Sequence, residues 1–307
     1  MDGYIVVGSA VVGLLVGLTG AGGGALMTPM LILLFSVKPS TAISSDLVAA
    51  VVMRPVGAAV HLKRGTVNLG LVGWMTAGSV PAAFLGSYVL HLMGHTAHAE
   101  HNVQRALGAA LLVGAGAMLL RRALDRRTGQ RRAGLVREVG VRPLPTLAIG
   151  VVGGLVVGIT SVGAGSLMIV LLMFVYPAIG ANQLVGTDLT QAIPLTAAAA
   201  LGALAFGHVA LPVTGSIVVG SVPAVLVGAL LSSRVPDRLL RPVITFVILA
   251  SGLKYAGMGT RTLGLTLLGV LVAASLVIGT RAVFRTSLPA LSLGLNGRRE
   301  TADTTAP

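Results

Sequence analysis

Apolar residues fall into eleven runs, at about 4–19, 24–36, 42–61, 69–92, 103–121, 144–159, 165–178, 184–206, 211–232, 239–257 and 262–281. Crossing roughly 30 Å of hydrocarbon at 1.5 Å per residue takes about 20 residues of helix. Most of the runs approach that length, and none shows the strict alternation of a half-buried strand. The runs at 24–36 and 165–178 are short, and each follows a glycine-rich break: Thr19 to Gly24 (TGAGGG) in one case, Thr160 to Ser166 (TSVGAGS) in the other. The pattern predicts an all-α polytopic membrane protein in which short, broken helical hairpins interrupt full spans.

The runs are also related to one another. Gly65 to Gly86 matches Gly207 to Gly228 without a gap at ten of 22 positions, including the paired string GSVP. Upstream, Gly17 to Met27 (GLTGAGGGALM) corresponds to Gly158 to Met168 (GITSVGAGSLM), and Asp46 in SSDL corresponds to Asp188 in GTDL. A hairpin adds no net crossing, so each copy makes three net crossings, and the second is expected upside down relative to the first. The expected organisation is a first inverted repeat over 1–122, a basic cytoplasmic linker over 123–143 and a second repeat over 144–257. An extra transmembrane helix follows over 258–285, then a disordered cytoplasmic tail over 286–307.

Composition agrees with the patterning: 54% of residues are hydrophobic and only 10% charged, against about a quarter charged in ordinary soluble domains. The absence of cysteine excludes thiol chemistry, cysteine-based metal sites and disulfides. The start, Met1-Asp2-Gly3, lacks the basic region of a signal peptide, so 4–19 reads as a retained span. The net charge of +13 would suggest nucleic acid in a soluble chain. Here Arg121, Arg122, Arg126, Arg127, Arg131, Arg132, Arg137 and Arg142 are read as one loop, with Arg281, Arg285, Arg298 and Arg299 in the tail. Such clusters mark cytoplasmic loops, so nucleic acid is not an expected partner. With the arginine loop inside, Lys63, Arg64, Arg234, Arg238 and Arg241 also fall inside, which sets the N-terminus outside and the C-terminus in the cytoplasm of an inner (plasma) membrane protein.

Three constellations carry candidate chemistry. The breaks supply Thr19, Gly20, Gly22, Gly23, Gly24, Thr160, Ser161, Gly163, Gly165 and Ser166. Glycines let successive N–H groups face one point, each break opens a short helix with its positive dipole end, and the hydroxyls add donors, all of which suit a small anion. The same glycines would also serve tight helix packing. Asp46 and Asp188 are acids in apolar surroundings and candidate proton carriers. Each follows Ser or Thr where a span is expected to open, so each also fits a helix N-cap. Arg54 lies within a span and needs a carboxylate, carbonyl or substrate anion as partner. His61 is seven residues on, on the same helix face, and joins the coupling candidates. The second-repeat equivalent of Arg54 is Thr196, so the positive charge is one-sided. Four histidines, His91, His95, His98 and His101, are read as an outer loop. Only Glu100 accompanies them, so no metal site is expected, and no cofactor.

At these residues the chain resembles the sulfite exporter family of the TauE/SafE type. The motifs are GLTGAGGGALMTP, the SDL segment followed by a basic residue, HLKRGTVN from His61, GITSVGAGSLM, LVGTDL, IPLT, FGHV and the paired GSVP, together spanning almost all of 4–257. The resemblance implies an inner-membrane carrier of sulfur-containing anions such as sulfite or organosulfonates, exporting with proton or ion coupling. This chain departs from the family at Asn68 and Ala210, where an acid is frequent, and at Gln191 and Ala203, where a histidine is common. Gln191 thereby joins the candidate substrate contacts. The alternatives are a passive anion channel or a carrier of a different small organic anion. No nucleophile stands beside a base at helical spacing, so an enzyme is not expected. Small-residue faces would allow a homodimer.

Overall fold

The computed structural model describes residues 2–19, 23–63, 65, 67–94, 99–128, 140–163, 165–177, 179–207, 209–231, 237–259, 262–264 and 266. Gly20, Gly22, His95, His98, most of the basic linker, and the last expected span and tail beyond residue 266 lie outside them. The chain divides into two units, Met1–Gly257 and Met258–Pro307. In the second, the described residues include one short helical turn, where the Thr266 hydroxyl donates to the Thr262 carbonyl at 2.5 Å.

The first unit is helical throughout most of its described residues. In order these helices are α1 Gly3–Thr19, α2 Gly24–Phe35, α3 Pro39–Lys63, α4 Leu69–Gly94, α5 Ala99–Thr128, α6 Pro143–Thr160, α7 Leu167–Val175, α8 Ala181–Phe206, α9 Leu211–Leu231 and α10 Asp237–Tyr255. Among the described residues, five segments are long and apolar enough to cross a membrane: Leu69–Gly94, Glu100–Arg121, Pro143–Thr160, Gln183–Phe206 and Leu211–Leu231. Large apolar side chains such as Tyr4, Leu34, Leu144, Phe174, Leu201 and Leu230 point outward, which suits a surface solvated by lipid rather than water. The chain is a multi-pass helical membrane protein.

Local chemistry sets several helix ends. Pro143 starts α6, where its missing N–H costs nothing. The Asn68 side chain accepts from the Leu71 N–H at 3.2 Å and caps α4. Ser36 and Ser161 close α2 and α6 in the left-handed conformation. The short helices after the breaks, 12 residues for α2 and nine for α7, fall where the sequence places them.

Three expectations need correction. Asp46 and Asp188 do not cap their helices. α3 already begins at Pro39 and α8 at Ala181, so each acid stands about two turns inside; the preceding residues KPS and GAN break the chain before the acid is reached. Arg121, Arg122, Arg126 and Arg127 belong to α5 rather than to a loop, because that helix continues to Thr128. The histidines do not share one loop either. His91 lies in α4, its ring 6.4 Å from that of Tyr88, and His101 lies in the first turn of α5.

Packing is reciprocal between the two halves. α1 lies along α9 and α4 along α6, while α3 meets α8, and each of these two also meets the other half's last GSVP helix, α9 and α4 respectively. Glycine makes the closest pairs possible. A Cβ on Gly13 would stand 2.7 Å from the Ser221 carbonyl oxygen, and one on Gly154 2.5 Å from that of Ser79. These are equivalent positions in the two copies. Hydroxyls cross in the same reciprocal way: Thr187 accepts from the Asn68 N–H at 3.1 Å, and Ser45 from the Ala210 N–H at 3.2 Å. In a membrane, where apolar burial drives little association between helices, this backbone-to-backbone contact is what holds the helices together.

Gly154→Ala is therefore expected to destabilise the protein by about 1–3 kcal/mol through forced separation of α4 and α6. Gly73→Ala, where a Cβ meets nothing within 4 Å, should leave the melting temperature in detergent unchanged. Equal melting temperatures for the two variants would contradict the close approach.

Candidate functional site

Both breaks end their helices by local hydroxyl chemistry. The Thr19 hydroxyl donates to the Leu15 carbonyl at 2.7 Å, and the Thr160 hydroxyl to the Val156 carbonyl at 2.7 Å. Thr160 also accepts from the Val162 N–H at 3.2 Å. Its hydroxyl, one of the candidate ligand donors, thus serves the chain's own backbone. Ser161 then adopts φ +58°, a conformation that costs a non-glycine residue strain. Gly163 and Gly165 follow with φ of +126° and +89°, a region side chains avoid. Ser166 precedes α7 without making a side-chain cap, and it is buried.

The two breaks touch. Gly24, at the start of α2, sits so close to the Ser161 backbone that no side chain would fit between them. Gly23 is buried beside it, and its carbonyl accepts from the Leu26 and Met27 N–H groups. Among the described residues of the candidate site, the hairpin tips from the two halves of the chain form one structure.

Asp46 faces that contact from α3. Its Oδ2 accepts from the Ser161 hydroxyl at 2.7 Å and from the Thr28 hydroxyl of α2 at 3.0 Å. The carboxylate, fully buried, binds a hydroxyl from each half. Thr28 escaped sequence reading; its signal was its place one turn into the short helix after the break.

Asp188 occupies the equivalent place on α8 in a different environment. Both of its carboxylate oxygens are buried without a hydrogen-bond partner. The Gly165 N–H offers it a long, weak backbone hydrogen bond that falls outside the distance and angle of a closed one. Arg54, on α3, projects its charge on both acids, more strongly on Asp188 than on Asp46. Its Nε is buried and unpartnered. Arg121 of α5 adds a weaker positive influence on Asp188. Gln191, one turn beyond Asp188, donates from Nε2 to the Ser79 hydroxyl of α4 at 2.5 Å, while its Oε1 has no partner. Ser79 is a further residue that sequence reading left out of the site, although its string, GSVP, was duplicated. His61 lies in α3.

The site therefore combines broken helices with buried, incompletely paired charges of both signs. Buried polar groups without partners are rare in folded proteins, and Asp46 Oδ1, Arg54 Nε, both Asp188 oxygens and Gln191 Oε1 are five of them. With helices that cross a bilayer around it, this is the construction of a membrane transporter. Comparison with known proteins agrees. The chain matches the family model described as Sulfite exporter TauE/SafE over residues 5–255. It is 40% identical over 244 residues to the Probable membrane transporter protein YjnA of Bacillus subtilis (strain 168), covering 79% of this chain and 95% of that protein. The chain belongs to the TauE/SafE sulfite exporter family. No solved structure matches it.

Two substitutions separate strain from hydrogen bonding at Ser161. Ser161→Ala removes a bond to a carboxylate worth about 1.5–3 kcal/mol and keeps the left-handed strain. Ser161→Gly loses the same bond but recovers about 1–2 kcal/mol of strain. Chemical denaturation should order stability as wild type, then Gly, then Ala; an Ala variant more stable than the Gly variant would reject this account.

Proposed function

We propose that this protein is a secondary transporter exporting small sulfur-containing anions, sulfite or organosulfonates, by alternating access across the inner (plasma) membrane. The observation that carries the reading is the meeting of the two broken hairpins beside Asp46 and Arg54, with Gly24 against Ser161 and Ser161 bonded to Asp46. The anion's oxygens are assigned to N–H groups and hydroxyls around Gly20, Gly22, Gly23, Gly24, Ser161, Gly163, Gly165 and Ser166, with Thr19, Thr160 and Gln191 at the margin. Arg54 supplies the positive charge. Asp46, Asp188 and His61 are the coupling candidates. The printed family description, sulfite exporter, supports the substrate class.

Alternating access needs two halves that rock against one another around a fixed site. The reciprocal pairs α1 with α9 and α4 with α6, and the reciprocal hydroxyl bonds of Thr187 and Ser45, support two inverted repeats. The arginine clusters support an outside N-terminus and a cytoplasmic C-terminus. Because the chain holds no cysteine, single cysteines report sidedness directly. A cysteine at Gly3 should react with an impermeant maleimide in intact cells, and one at Thr304 only after permeabilisation. The reverse labelling pattern would overturn the orientation.

Binding is tested by thermal stabilisation of purified protein against sulfite, sulfate, thiosulfate, sulfoacetate, acetate and phosphate. A ligand at about 100 times its Kd stabilises by about 2.7 kcal/mol. A shift confined to sulfur oxyanions and sulfonates is expected. Arg54→Gln should weaken that binding about tenfold or more, from the loss of a charged interaction of about 1.5–3 kcal/mol. Unchanged affinity in the folded variant would remove Arg54 from the site.

A further inference from the structure

Most of the unpartnered acceptors of the site gather on one helix of the second half, while its unpartnered cation stands in the first. On α8, Asp188 and Gln191 are three residues apart and share a face. Asp188 Oδ1 and Oδ2 and Gln191 Oε1 are all buried acceptors without a donor. Asp188 is 1% exposed and Gln191 fully buried. From α3, Arg54 presents a buried donor, Nε, that likewise has no partner. Its charge acts on Asp188 and on Asp46, and neither oxygen of Asp188 is closed into a hydrogen bond.

The duplication makes this arrangement informative. The first-half equivalent of Asp188, Asp46, has its Oδ2 satisfied by Thr28 and Ser161, and only its Oδ1 is left without a partner. Three residues beyond Asp46 stands Ala49, which offers no acceptor where α8 has Gln191. Conversely, α8 carries Thr196 where α3 has Arg54, and the Thr196 hydroxyl is spent on the Ala192 carbonyl at 2.6 Å. The site therefore holds one free donor, Arg54 Nε, against four free acceptors, three of which lie together on α8.

A simple anion answers only the Arg54 donor. It leaves the three α8 acceptors orphaned and adds negative charge near Asp188, an arrangement that buried sites avoid. A primary ammonium group carries three N–H donors and no acceptor, which matches three acceptor oxygens on one helix face. We propose that the ligand is a zwitterion, a small aminosulfonate or related ω-amino acid, with its ammonium on Asp188 and Gln191 and its acid group toward Arg54 and the hairpin N–H groups. This assignment rests on the organosulfonate reading above and narrows it.

Taurine and isethionate test it, since both are two-carbon sulfonates and differ only in ammonium against hydroxyl. Their affinities for purified wild-type protein are measured by calorimetric titration at pH 7, in sodium chloride and in choline chloride. Taurine is expected to bind at least tenfold more tightly than isethionate in both salts. In Asp188→Asn and in Gln191→Ala that ratio should fall toward one; the second variant keeps the test open if the first does not fold. Isethionate binding as well as taurine overturns the zwitterion assignment and leaves the anion site standing. Isethionate binding only with sodium overturns it in favour of a co-bound cation at Asp188. Binding of neither, while sulfite still stabilises the protein, overturns the assignment together with the organosulfonate reading.

Discussion

The hydrogen bond from the Ser161 hydroxyl to Asp46 joins the two halves of the chain where the break after α6 meets helix α3. Inside a bilayer no water can satisfy a backbone that leaves its helical ladder, so a break survives only where protein groups replace the missing partners. Here the replacements are local and then mutual. Thr19 and Thr160 turn their hydroxyls back on their own helices, Ser161 bends into a strained conformation, and Asp46 gathers hydroxyls from both sides of the contact. Removing the carboxylate would leave Ser161 and Thr28 with nothing to bond and the strained turn without its anchor.

That arrangement needs a rigid surround, and the glycine-lined pairs provide it. α1 against α9 and α4 against α6 approach until backbone meets backbone, which gains dispersion contact that larger side chains would prevent. The central helices α3 and α8 can then carry acids, an arginine and a glutamine. A hydropathy profile alone would rank α3 poorly as a span, since it holds Asp46, Arg54 and Lys63; its polar residues are tolerated because neighbours, not lipid, surround Asp46 and Arg54.

Equivalence of the halves is clearest in their packing and weakest in their chemistry. The paired GSVP strings, the glycines facing Ser79 and Ser221, and the hydroxyls that precede each acid occupy matching places. The charged and amide side chains do not: Arg54 answers to Thr196, and Gln191 to Ala49. Packing has to repeat for the two halves to fit one another, whereas a binding site needs only one copy of each group.

The sequence by itself determined the helical, membrane-spanning character of the chain, the duplication, the two short helices after glycine breaks, and the acids and arginine in apolar surroundings. Those features are legible because transfer into hydrocarbon is a property of each segment alone, and a charged residue in such a segment is conspicuous whatever it touches. Tertiary structure decided the rest. It set Asp46 and Asp188 two turns inside their helices, ran α5 on through Arg121, brought Gly24 against Ser161, and chose Thr28 and Ser79 as partners. It also gave the two equivalent acids unlike surroundings, one with two hydroxyls on a single oxygen and the other with no side-chain hydrogen bond. None of this is local. It depends on how closely two backbones far apart in the chain can approach, and that distance is settled only when all the helices pack at once.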